Sequence, residues 1–134
     1  MNKVLIDTDI LSFYFKKIPS VVEKFENYIS YFGKVNISRP TVIEVISGLK
    51  AKNATKQLAE FREFVAKHTI LEIDEKSSEI TAEYIAFLLQ SGRHSGTFDV
   101  LIAGIAKAND LTLITNNTKD YQNFSGLRLD NWKI

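Results

Sequence analysis

Val4-Leu5-Ile6 runs directly into Asp7-Thr8-Asp9, and this junction constrains the fold more than any other stretch. A short apolar run ended by polar residues reads as a fully buried strand. Strands buried on both faces belong to parallel sheets covered by helices. Open sheets of that kind bind ligands outside the carboxyl ends of their strands. Asp7 therefore leaves its strand at the edge where a site would form, and the question becomes which other acids arrive there.

The rest of the chain alternates in the same manner. Residues 10–15 open a helix that Thr8 or Asp9 would cap. From Pro19, Val21, Val22, Phe25, Tyr28, Ile29 and Phe32 recur at helical spacing until Gly33. A short strand is expected at 35–38, and Pro40 starts a helix with Val42, Val45, Ile46 and Leu49 inward. Residues 53–67 form a further helix, 69–73 a strand, and 74–90 a helix with Ile80, Tyr84, Phe87 and Leu88 on one face. Ser91-Gly92-Arg93-His94-Ser95-Gly96 is a loop. Residues 97–109 are apolar almost all round, which marks a central helix. Strand 111–115, a turn at 116–118, a short helix through Tyr121 and Phe124, and a strand at 127–129 complete the chain. Alternating strands and helices define an α/β fold, a single domain over 1–134 with a mostly parallel sheet.

Composition narrows the chemistry. The 134 residues contain no cysteine and two histidines, His68 and His94. Thiolate metal sites are excluded, and a zinc site built from imidazoles is disfavoured. A metal would be held by oxygen, which favours Mg²⁺, with Mn²⁺ possible. The net charge of +1 does not announce a nucleic-acid binder, but a local basic patch suffices for one. Asp7 and Asp9 interrupt the N-terminal apolar run too early for a signal peptide. No stretch approaches a membrane span, so a cytoplasmic protein is expected.

Four acids have related placements. Asp7 follows the first strand, Glu44 lies in the first turns of the helix after the second, Asp99 is near the start of the apolar helix, and Asp120 is just past the late strand. Helices of an α/β layer begin where strands end, which puts all four at one edge. Singly, each has an ordinary role as a cap, turn or surface residue. Together they repel, and a divalent cation is the usual compensation. A cation there can activate water against a phosphodiester.

These residues resemble the PIN-domain ribonucleases, and among them the VapC toxins of prokaryotic toxin–antitoxin pairs. The resemblance covers nearly the whole chain. It rests on Leu5-Ile6-Asp7-Thr8-Asp9-Ile10-Leu11, on Thr41-Val42-Ile43-Glu44-Val45 with Gly48, and on Phe98-Asp99-Val100-Leu101-Ile102-Ala103. It closes with Leu113-Ile114-Thr115-Asn116-Asn117-Thr118-Lys119-Asp120-Tyr121, Gly126-Leu127 and Asn131-Trp132. It implies a PIN-like three-layer α/β/α sandwich with Asp7, Glu44, Asp99 and Asp120 as the metal site, Asp7 and Asp99 being the surest ligands. It implies support of that site by hydrogen bonds from Thr115 and Asn116. Thr97 stands where many relatives carry an acid, which implies less negative charge, and Asn117 stands where some carry aspartate. The resemblance also implies a homodimer, a structured RNA substrate such as tRNA, and a VapB-like antitoxin whose C-terminal segment fills the acidic groove. The helices at 19–33 and 53–67 are the expected contact surfaces.

Lys16, Lys17, Arg39, Lys50, Lys52, Arg93, His94 and Lys119 are the candidates for RNA contact. Arg39 and Lys119 rank first, being nearest the acidic edge. Two other readings compete: a phosphatase of the haloacid-dehalogenase kind using Asp7, and a catalytically silent RNA- or partner-binding module.

Overall fold

Three consecutive buried residues, Val4–Ile6 (β1), form the central strand of a five-stranded sheet. A computed structural model describes residues 2–94 and 96–134. Ser95, in the loop expected at 91–96, lies outside the described residues. The other strands are Asn36–Ser38 (β2), Thr69–Leu71 (β3), Thr112–Ile114 (β4) and Leu129–Asp130 (β5). The order is β3-β2-β1-β4-β5, and every pairing is parallel. All the carboxyl ends thus lie along one edge. The chain first grows outward from β1 through β2 and β3, then returns to the other side of β1 as β4. That reversal is the topological switch point at which open α/β sheets hold ligands.

Alternating side chains feed two cores on opposite faces. Val4, Ile6, Ile37 and Ile114 pack with Ile10, Leu11, Val21, Phe25, Tyr28 and Phe61. These come from helices Thr8–Phe15 (α1), Pro19–Phe32 (α2) and Thr55–Lys67 (α4), joined by Val42 of Arg39–Ala51 (α3). Leu5 and Leu113 point the other way. They meet Glu75–Ser91 (α5), Thr97–Ala108 (α6) and Thr118–Tyr121 (α7). This is the expected three-layer sandwich, and its strands are parallel without exception.

Several local expectations change. Asp7, not Thr8 or Asp9, caps α1: its backbone is extended and its side chain accepts from the Thr8 N–H. The helix therefore starts immediately at the strand end, with no intervening loop. The strands expected at 35–38 and 69–73 shorten to three residues each. The last strand begins two residues later than expected, because Gly126, at φ +75°, turns the chain and Leu127 still bonds back to Phe124. On α5 the buried face is Ser77, Thr81, Tyr84 and Leu88, while Phe87 is 38% exposed. The polar pair is chosen by α6. A Cβ at Gly104 would lie 1.9 Å from Thr81 Oγ1, so the helices meet at a glycine and only small α5 side chains fit opposite. No helix among the described residues is long and apolar enough to cross a membrane.

Candidate active site

Asp7 continues the β1 ladder, its N–H donating to the Ile114 carbonyl at 2.9 Å. Its side chain is 5% exposed. Oδ1 accepts from the Thr8 N–H at 2.8 Å and Oδ2 from the Thr115 hydroxyl at 2.8 Å. The Asn117 N–H in turn donates to Thr115 Oγ1 at 3.0 Å, fixing that hydroxyl. Burial, followed by repulsion from Asp9, raises the Asp7 carboxyl from its ordinary value to about 7, despite these two bonds. Asp7 is the most costly charge of the edge.

Asp9, the second residue of α1, is bonded at Oδ1 by the Ile10 N–H at 2.7 Å and at Oδ2 by the Asn116 N–H at 3.0 Å. Burial raises its carboxyl too. Asp99 sits in the first turn of α6 and accepts from the Tyr121 hydroxyl at 3.0 Å. Burial raises it first, and the charges of Glu44 and Asp120 add to this. Glu44 reaches back from α3 to β1's end, where Thr8 Oγ1 donates to its Oε1 at 2.6 Å. Thr8 Oγ1 also lies 3.1 Å from Thr41 Oγ1, so the cap region of α3 is bound to that of α1. Asp120 is exposed on the rim and accepts from the Asn117 side-chain amide at 2.5 Å.

The four acids named from sequence are therefore gathered at the carboxyl edge, and Asp9 joins them as a fifth. Its position two residues after Asp7 was the available signal. Thr8 and Tyr121 also touch the acids directly. A hydroxyl adjoining a predicted ligand is a faint signal in sequence, because it gains meaning only once its partner's position is known. Thr115 contributes its side chain, whereas Asn116 contributes only its N–H; its Oδ1 accepts from Asn131 at 3.0 Å.

Among the described residues, no three acidic or histidine side chains stand close enough to enclose an ion as they are. The donors nevertheless fit a hard divalent cation: all are oxygen, and among the described residues no basic side chain pairs with buried Asp7 or half-buried Asp99. The ion pairs among the described residues are Arg39–Glu72 and Arg128–Asp110, both away from these acids. Mutual repulsion keeps uncompensated carboxylates apart, and a cation would draw them together.

The basic candidates separate. Arg39 is committed to Glu72 through a two-pronged contact, Nε to Oε1 at 2.9 Å and Nη2 to Oε2 at 2.6 Å. Lys119, Arg93 and His94 line one hollow of about 260 Å³ beside Asp120. Lys16 and Lys52 flank a groove of about 430 Å³ between α1, α3 and α4, whose inner end is Thr8 and Glu44 and whose floor includes Phe15 and Phe61. Lys17 and Lys50 do not line either of these hollows.

A parallel sheet in this order with acids collected at its switch point is an α/β arrangement suited to hydrolysis, and the PIN-domain family model matches residues 4–126. The chain belongs to the PIN-domain family, and its relatives place it with the VapC type. It is 35% identical over 133 residues to a tRNA(fMet)-specific endonuclease VapC of Shigella flexneri, covering 98% of this chain and 99% of that one. Its structure is similar to that of a DNA-bound VapBC complex from Salmonella typhimurium, with a TM-score of 0.86 and 29% identity over 98% of this chain and 99% of that one. VapBC2 from Rickettsia felis, bound to a fragment of its promoter, gives a TM-score of 0.86 at 26% identity, covering 96% and 98%. The haloacid-dehalogenase alternative ends with this assignment.

Proposed function

We propose that the protein is a Mg²⁺-dependent endoribonuclease, the toxin of a type II toxin–antitoxin pair, which hydrolyses phosphodiester bonds of a structured RNA in the cytoplasm. The observation that carries this reading is the placement of buried Asp7 and half-buried Asp99 at the switch point, with no basic side chain paired to either among the described residues, beside Asp9, Glu44 and Asp120. The relatives named as ribonucleases and as a tRNA(fMet)-specific endonuclease support tRNA as the substrate class. The solved VapBC complexes support a VapB-like antitoxin as the partner, and the family resemblance supports a homodimer.

Asp7 and Asp99 would hold the ion, with Mn²⁺ able to replace Mg²⁺. The ion would offset charge on the scissile phosphate and make water a better nucleophile. The chain's own residues prepare this. Thr115 and the Thr8 N–H fix both Asp7 oxygens, so the carboxylate cannot rotate away. Thr8 orients Glu44 toward the same edge from the opposite helix. Lys119, Arg93 and His94 would take phosphates flanking the cut, and the α1–α3–α4 groove is the surface for the antitoxin's C-terminal segment.

Purified protein should cleave tRNA with Mg²⁺ and stop in EDTA or as Asp7→Asn. Cleavage indifferent to both changes would refute the reading. RNA binding of equal strength with and without metal, and no turnover, would favour a silent binding module instead.

A further inference from the structure

Tyr121 has been given no role in the chemistry above, yet it touches the acids and is fully buried beneath them. It ends α7, and its ring meets Phe124 edge-on at 6.2 Å between centroids. Packing alone would be met as well by phenylalanine. A buried hydroxyl is costly unless it is bonded, and this one is bonded to the acids. It donates to Asp99 Oδ1 at 3.0 Å, and Asp7 faces the same hydroxyl. A phenol has one proton to give. Asp7 does not need it, because the Thr8 N–H and Thr115 already serve its two oxygens. Asp99 does, since among the described residues its only hydrogen bond is this one.

We propose that Tyr121 is a positioning residue of the metal site: its hydroxyl fixes Asp99 through Oδ1 and so leaves Oδ2 as the atom offered to the ion. The proposal rests on Asp7 and Asp99 being the ligands. The hydroxyl ties the start of α6, which carries Asp99, to α7. Partners that orient a metal ligand from behind typically contribute about 10- to 100-fold in metal affinity.

The test is a Mn²⁺ titration of RNA-free protein, followed by electron paramagnetic resonance, for the wild type, Tyr121→Phe and Asp99→Asn. Tyr121→Phe should raise the Mn²⁺ Kd by about 10- to 100-fold. It should leave the RNA KM at saturating Mn²⁺ unchanged, a split that loss of packing would not produce. An unchanged Kd in Tyr121→Phe alongside lost binding in Asp99→Asn overturns the role of Tyr121 alone. Unchanged Kd in both variants overturns the metal site itself. Should Tyr121→Phe fail to fold, 3-fluorotyrosine placed at 121 keeps the shape. Its ¹⁹F resonance should move when Mg²⁺ is added, and a resonance that stays in place overturns the proposal.

Discussion

Asp7 is 5% exposed and receives a bond on each carboxylate oxygen, from Thr8 and Thr115. Asp120, at the other end of the same cluster, is exposed and is held by Asn117 at 2.5 Å. The first is fixed by a strand end, a helix cap and the neighbouring strand. The second sits on a four-residue helix. Water already screens the rim charge, so a cation gains little by neutralising it. The buried charge has no such relief, and a cation there removes a standing penalty. Equal formal charges thus carry unequal leverage over the metal, and depth below the surface sets the difference.

The largest consequence is for metal binding and cleavage. Asp7→Asn should abolish both. Asp120→Asn should weaken Mn²⁺ binding by about tenfold, the low end of what orienting groups contribute. Mn²⁺ affinity and single-turnover cleavage measured on both variants would break the comparison if the losses were equal.

The second consequence is for stability. With its carboxyl raised to about 7 in the fold against 3.8 ordinarily, Asp7 binds its proton more tightly in the folded state. Its contribution is fully present below about pH 4 and is lost as pH rises through about 7. The gap corresponds to at most about 4 kcal/mol. In EDTA, Asp7→Asn should therefore match the wild type near pH 4 and grow steadily more stable than it toward pH 8. Urea unfolding at several pH values measures this. An Asp7→Asn advantage that does not change with pH would mean the burial penalty is not what strains the cluster.

How far these features could be read beforehand depended on their range. Asp7, Glu44, Asp99 and Asp120 were legible because each sits at a strand end or within the first two turns of a helix, and parallel topology brings such positions to one edge. The apolar triplets of β1 and β4 were legible for the same reason: burial on both faces leaves a continuous run. Tyr121 and Thr8 were not, since their polar partners lie 22 and 36 residues away in the chain. The α5 face was misread at Phe87, which periodicity rewards but which is exposed, and at Ser77 and Thr81, which Gly104 on α6 admits at the closest approach; Ile80 packs against the core as expected. The cap of α1 was placed one residue or more too late, since strand and helix share Asp7 with no loop between them. For Tyr121, Thr8 and α5, a contact distant in sequence outweighed a sound local pattern.

The smallest effect concerns the two cations ranked first for RNA, and it carries the comparison of held and free charge to the basic side chains. Lys119 is exposed beside Asp120, in the hollow it shares with Arg93 and His94. Arg39 is held in a fork by Glu72. An RNA phosphate must displace that carboxylate to gain Arg39, so most of the attraction is already spent within the protein. Lys119→Ala should weaken RNA binding about threefold and lower the slope of log affinity against log salt by about 0.7, the value of one single-strand phosphate contact. Arg39→Ala should leave the slope unchanged and cost the fold no more than about 1 kcal/mol, the usual limit for a surface pair. Filter binding of tRNA to Asp7→Asn protein, which holds RNA without cutting it, gives both slopes. A slope lowered equally by the two substitutions would mean that Arg39 releases Glu72 for phosphate, and that its fork is a resting state of the RNA-binding surface.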